Sequence, residues 1–213
     1  RAGGHAGVLE DYACLADGLL TLYGVTGEVR WFRLAGELLE VVLTRFPDGS
    51  GGFYDTPDDG ERLFQRPRDP VDNATPSGRF AAAGALLSYA ALTGSARHRA
   101  AAEAALGPVS LLAGRFPRAA GWGLAVAQAA LAGPVEIAVV GRMDDARTAA
   151  LHRAAFLAGS PGAVVAVGEP TDEVPLLAGR GPVDGRPAAY VCRNFACRLP
   201  VTTPEELRAE LAR

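Results

Sequence analysis

The chain has 213 residues, enough to bury a full core in one or two domains. Apolar residues make up 49% and charged residues 21%, and the net charge of -3 gives no reason to expect nucleic acid or an anionic membrane as a partner. Three cysteines are too few for a disulfide framework, and no apolar run approaches the ~20 residues that a membrane-spanning helix needs. The expected setting is cytoplasmic.

Helical periodicity begins near Leu9, where Leu9, Tyr12, Ala16, Leu19, Leu20 and Tyr23 share one face. After a break at Thr26-Gly27, a second helix carries Trp31, Ala35, Leu38, Leu39, Val42 and Phe46 and ends at Pro47. Asp48-Gly49-Ser50-Gly51-Gly52 is loop, Phe53-Tyr54 suits a short strand, and the polar stretch from Asp55 to Asn73 is a long excursion. Thr75 and Pro76 fit an N-cap and first helical position for the next helix, which carries Phe80, Ala83, Leu87 and Ala91. A helix from Arg97 to Gly114 returns, and a shorter one runs from Trp122 to Leu131. Past Gly133-Pro134, Val135–Val140 reads as a strand, Ala146–Ala158 as a helix and Ala163–Val167 as a second strand, the β–α–β order of a mostly parallel sheet. Ala188–Cys192 is a third strand, and the capping box Thr203-Pro204-Glu205-Glu206 opens a last helix.

Two helices joined by a Thr-Gly turn occur twice. Thr26-Gly27-Glu28-Val29-Arg30 and Thr93-Gly94-Ser95-Ala96-Arg97 are 67 residues apart, and the same offset places Leu19-Leu20 on Leu86-Leu87. Repeated hairpins bury their faces by stacking on neighbours. The fold class expected is mainly α with a C-terminal α/β segment: helical hairpins of an incomplete α/α toroid over 1–133, then a small, mostly parallel sheet over 134–213. The chain opens at Arg1 with neither methionine nor signal-like segment, so it is expected to be the later part of a longer protein.

Hairpin topology sets the start of the first helix, the loop from Pro47 to Thr75 and the start of the helix at Trp122 at one end. Asp11, Asp55 and Asp72 are the candidate catalytic carboxylates there. Glu10, Tyr12, Asn73 and Trp122 are candidate substrate-binding residues, since paired carboxylates and aromatic platforms suit a sugar. The plainer readings are caps for Asp11 and Asp72, solvated loop charge for Asp55, Asp58 and Asp59, and core packing for Tyr12 and Trp122. His5 is isolated and is no candidate. Val139-Val140-Gly141 before a helix lacks G-x-G-x-x-G and Walker patterns, so a plain strand–turn–helix is the better reading. Cys14 falls inside the first helix and reads as packing.

Cys192 and Cys197 stand five apart, a spacing that is neither C-x-x-C nor a zinc set, and no metal or cofactor is expected. A tight turn at Asn194-Phe195 would bring them within the ~7 Å between Cα atoms that bridging needs. The expectation is a dithiol capable of reversible oxidation, with Arg193 or Arg198 stabilising a thiolate. Separate packing of the two thiols is the alternative.

Five stretches carry a family resemblance: Leu9-Glu10-Asp11-Tyr12-Ala13, Gly51-Gly52-Phe53-Tyr54-Asp55-Thr56, Ala74-Thr75-Pro76-Ser77-Gly78, Val183-Asp184-Gly185-Arg186, and Tyr190 through Cys197. In this order they resemble the C-terminal region of thioredoxin-domain-containing proteins of the spermatogenesis-associated protein 20 type. The resemblance implies an N-terminal thioredoxin-like domain as partner within the same protein and a six-hairpin α/α toroid like that of glycosidases and sugar epimerases. It implies no particular reaction. Glu10-Asp11 stands where the family often has two aspartates, and no C-x-x-C motif is present. Two functions follow as expectations: a redox-associated protein whose toroid binds a substrate, or a carbohydrate-active or sugar-binding module.

Overall fold

The computed structural model describes residues 7–157 and 162–212. His5, and Ala158 at the expected end of a helix, lie outside them. Helices α1 (Leu9–Thr26) and α2 (Val29–Arg45) form one antiparallel hairpin, and α3 (Gly78–Thr93) and α4 (Ala96–Ala105) form a second. The two Thr-Gly turns are geometrically equivalent. Gly27 and Gly94 take left-handed φ values of 68° and 72°, and their amides donate to Tyr23 O and Ala90 O. Thr26 Oγ1 donates to Leu22 O and accepts from Glu28 N, and Thr93 Oγ1 donates to Tyr89 O and accepts from Ser95 N. The sequence repeat is therefore a structural repeat, closed each time by a glycine in the region L side chains avoid.

The centre of the helical part is α3. It packs on α1, α4 and α6 (Gly121–Ala132), so apolar residues occupy most of its circumference and eleven of its sixteen residues are buried. Phe80 is fully buried and its ring lies directly on the bare backbone of Gly123 in α6. Leu9, Ala13, Ala16, Leu20 and Tyr23 of α1 and Phe32, Ala35, Leu39 and Val42 of α2 complete the core.

Two helix boundaries differ from expectation. The helix expected over Arg97–Gly114 is broken after Ala105, and α5 (Val109–Arg115) is separate, because Pro108 lacks the N–H and obstructs the preceding turn. The third helix is capped by Ser77 rather than Thr75: Ser77 Oγ accepts from Phe80 N, and Pro76 stays in the extended approach.

The C-terminal segment holds β1 (Glu136–Val140), α7 (Ala146–Phe156), β2 (Val164–Gly168), β3 (Ala188–Arg193), β4 (Ala196–Cys197) and α8 (Pro204–Leu211), in the sheet order β2-β1-β3-β4. The pair β1–β2 is parallel, as the crossover through α7 requires. The pairs β1–β3 and β3–β4 are antiparallel, so the sheet is mixed where mostly parallel strands were expected. No helix carries the chain back between β2 and β3. A short 3-10 turn at Pro175–Leu177 leads to Pro187, which lies against Gly141 at the far end of β1, so β3 must run the other way. One face of the sheet (Ala138, Val140, Val164, Ala166) joins the helical core, and the other (Ile137, Val139, Val165, Val167) is covered by α7 and α8 through Leu151 and Leu207. No helix among the described residues is long and apolar enough to cross a membrane.

Candidate functional site

Three of the family-like stretches meet at the loop end of the hairpins. Leu9 N donates to Asp55 O at 2.9 Å, joining the start of α1 to the long loop. Gly78 sets the start of α3 against that of α1, since a Cβ there would lie 3.0 Å from Glu10 N. Between these segments is an open cleft of about 310 Å³ whose polar lining includes Glu10, Asp55, Asp69, Asn73 and Thr75. Asp55 is half-buried and accepts from Asp69 N at 3.0 Å. Burial, then the neighbouring charges of Asp69 and Glu10, push its carboxyl above the usual range. The loop is held by Asp48, whose Oδ1 accepts from Ser50 N, Ser50 Oγ and Gly52 N. Burial would raise the Asp48 carboxyl, but those hydrogen bonds and the Arg79 charge outweigh it and hold it below the usual range.

Glu10, Asp55 and Asn73 thus share one cleft, while Asp11, Asp72, Tyr12 and Trp122 do not line it. Asp11 is exposed and folds back on its own helix, accepting from Val8 N at 2.9 Å. Asp72 is turned inward: Oδ1 accepts from Ser77 N at 2.8 Å, and Oδ2 accepts from Trp122 N at 2.9 Å and Gly123 N at 3.2 Å. It caps α3 and α6 together, and its oxygens are already engaged. Tyr12 packs edge-on against Phe46, with ring centroids 5.4 Å apart. The indole of Trp122 lies over Gly84 of α3. Asp58 and Asp59 pair with Arg45 at 3.4 and 3.6 Å on the exposed loop. Cys14 is exposed rather than packed, and its partial burial with Glu10, Asp17 and Asp11 nearby pushes its thiol up.

A second constellation lies at the edge of the sheet. Asn194 and Phe195 take φ values of 49° and 61°, as a tight two-residue hairpin between β3 and β4 requires. Arg198 N donates to Val191 O at 3.0 Å, which leaves Cys192 and Cys197 as the directly opposed pair between ladder hydrogen bonds. Their Cα atoms are 3.9 Å apart and their sulfurs are joined. Cys192 is buried at 1% exposure, whereas Cys197 faces solvent.

The cation at this pair is neither of the two expected. Arg193 donates to the carbonyls of Ala132 and Gly133, and Arg198 pairs with Glu210 at 2.5 Å. Both follow a cysteine by one residue, and neighbours on a strand point to opposite faces. Arg180, from the segment before β3, takes their place: its Nη2 lies 3.0 Å from Cys197 Sγ and 3.7 Å from Cys192 Sγ. Nη1 of Arg180 donates to Ala178 O, and Tyr190 steadies the segment by donating to Gly181 O. Beneath the turn, fully buried Glu136 accepts from Phe195 N at 2.7 Å. Period-2 alternation would have excluded Arg193 and Arg198, but no local pattern marks Arg180 or Glu136.

The molecule is thus a scaffold of stacked helical hairpins with an open acidic cleft, joined to a mixed sheet that carries a cysteine hairpin. No protein-family model matches the chain. It is 30% identical to human spermatogenesis-associated protein 20 over an alignment 210 residues long that covers 95% of the chain, and equally similar to the rat and mouse proteins of that name. The resemblance read from the motifs therefore holds across nearly the whole chain, against the C-terminal part of these proteins. The chain spans 27% of the length of these relatives.

Proposed function

We propose that the Cys192–Cys197 pair is a thiol–disulfide exchange site in a redox-associated protein. One observation carries this reading: the two sulfurs are bonded at an exposed hairpin edge with a guanidinium on both of them. Exposed disulfides are the exchangeable ones, and a cation at the sulfur favours the thiolate on which exchange depends. The accessible sulfur of Cys197 is the point of attack, and Cys192 is the leaving sulfur. The partner is a thioredoxin-like domain of the same protein, as the family resemblance implies, and a cytoplasmic setting would return the pair to the dithiol.

Thiol titration of the denatured protein tests this directly. The oxidised chain is expected to give one thiol, Cys14, and brief treatment with dithiothreitol of the native protein three. Removal of the reductant under mild oxidation should restore one. An unchanged count through that cycle defeats the reading.

The cleft supports a second reading, because Glu10 and Asp55 line it together. The hairpins are then part of an α/α toroid whose loop end binds a sugar, with Asp55 as the proton-carrying acid. If neutral mono- or disaccharides bind by calorimetry, Asp55→Asn and Glu10→Gln should each weaken binding by about tenfold or more. Asp11→Asn, outside the cleft, should leave it unchanged. Equal loss in all three variants, or none in the first two, removes the cleft from consideration.

A further inference from the structure

We infer that Glu136 is the proton-exchanging partner of the Cys192 sulfur as the disulfide opens and closes. This rests on the exchange reading above. Glu136 and Cys192 are register partners on β1 and β3, so their side chains leave the same face of the sheet side by side. Both are buried, Glu136 fully and Cys192 to 1% exposure. Glu136 Oε2 is tied to the hairpin turn by the Phe195 amide, whereas Oε1 is buried with no hydrogen-bond partner among the described residues. A buried carboxyl oxygen left unpaired is costly, and hairpin anchoring alone needs only one oxygen.

The charged groups acting on this carboxyl are Arg99 from α4 and Arg180 from the segment before β3. Tyr190 on β3 has its hydroxyl engaged with Gly181 O. Burial pushes the Glu136 carboxyl above the usual range, opposed by the Phe195 amide, the two arginines and, least, the Asn194 amide of the same turn. Arg180 therefore stands beside both the sulfurs and the carboxyl, where it favours whichever of them carries negative charge as the bond opens.

An external dithiol serves as the reductant. A thiolate of the dithiol attacks Cys197 Sγ, the Cys192–Cys197 bond breaks, and its electron pair stays on Cys192 Sγ. The Glu136 carboxyl gives its proton to that sulfur and regains one from water. The second thiolate of the dithiol then displaces Cys197 Sγ, which leaves as a thiolate beside Arg180 and takes a proton from solvent. The protein gains two electrons and two protons, and the reductant loses both as it closes to a disulfide. In the oxidising direction the Glu136 carboxylate takes the proton from Cys192.

The test is the rate of dithiothreitol reduction of the full chain from roughly pH 5 to 8.5. Each rate is divided by that for oxidised glutathione under the same conditions, which removes the reagent's own ionisation. Thiols are trapped by alkylation and assigned by mass. Glu136→Gln keeps the acceptor for the Phe195 amide but cannot titrate. Its rate relative to wild type should rise by about tenfold from the acid to the basic end. At low pH only the wild type has a proton to give; at high pH only the wild type holds a negative charge beside the leaving thiolate. Arg180→Gln should move the break in the profile to higher pH, because a charge favouring the carboxylate is gone. A flat Gln-to-wild-type ratio, or a break unmoved in the Arg180 variant, overturns the role of Glu136 while leaving exchange intact. If no protein releases the Cys192 and Cys197 thiols at any pH, the exchange reading falls, and this inference with it.

Discussion

Asp72→Ala is expected to destabilise the chain by about 3–5 kcal/mol, read as a lower midpoint in urea with an unchanged slope. Three backbone amides, those of Ser77, Trp122 and Gly123, depend on one buried carboxylate. Alanine leaves all three without that acceptor, at the starts of two helices whose first amides have no partner within the helix. Asp72→Asn keeps one acceptor oxygen and should lose about half as much. A loss below about 1 kcal/mol for alanine would show that the amides find other acceptors and that Asp72 is no clamp. The clamp also positions the cleft, because Asn73 and Thr75, one and three residues after Asp72, line it. Weakened ligand binding in an Asp72 variant would therefore report displaced loop geometry, and Asp55 and Glu10 are the informative positions for the sugar reading.

Gly27→Ala should cost about 2–4 kcal/mol and Gly94→Ala about 1–2 kcal/mol, although the two glycines have nearly the same backbone. At φ of 68° and 72° each alanine carries the same left-handed penalty. The surroundings differ. A Cβ on Gly27 would stand 2.9 Å from Val167 O, a backbone atom of β2 that cannot yield without moving the sheet. On Gly94 it would stand 3.3 Å from the ring of Phe195, a side chain that can turn. Thermal or urea unfolding of the pair isolates the contact between the first hairpin and the sheet. Equal losses would mean that close approach at Val167 does not matter to stability. Phe195 makes the Gly94 variant informative in another way, since the same residue forms the cysteine hairpin.

What the amino-acid order determined by itself is local. Periodicity over Leu9–Tyr23 and Trp31–Phe46 specifies two amphipathic helices, and Thr26-Gly27 and Thr93-Gly94 specify how two hairpins turn, because a left-handed glycine and a threonine bonding one turn back need only their own few residues. Thr203 and Glu206 cap α8 reciprocally for the same reason. The closeness of Cys192 and Cys197 was legible too, since four residues between them fit a tight hairpin. Tertiary structure decided what each charge does. Asp72 and Asp55 look alike in sequence, yet one meets amides 50 and 51 residues away and becomes a clamp, while the other is left in an open cleft beside Glu10. Arg180 reaches the sulfurs only because the return segment lacks a helix and β3 runs antiparallel to β1, and Glu136 lies beside Cys192 only through the register of that pairing. Hydrogen bonds and charges act over a few ångströms of space, whatever the separation along the chain. A carboxylate or guanidinium therefore acquires its role from partners that the fold alone brings to it.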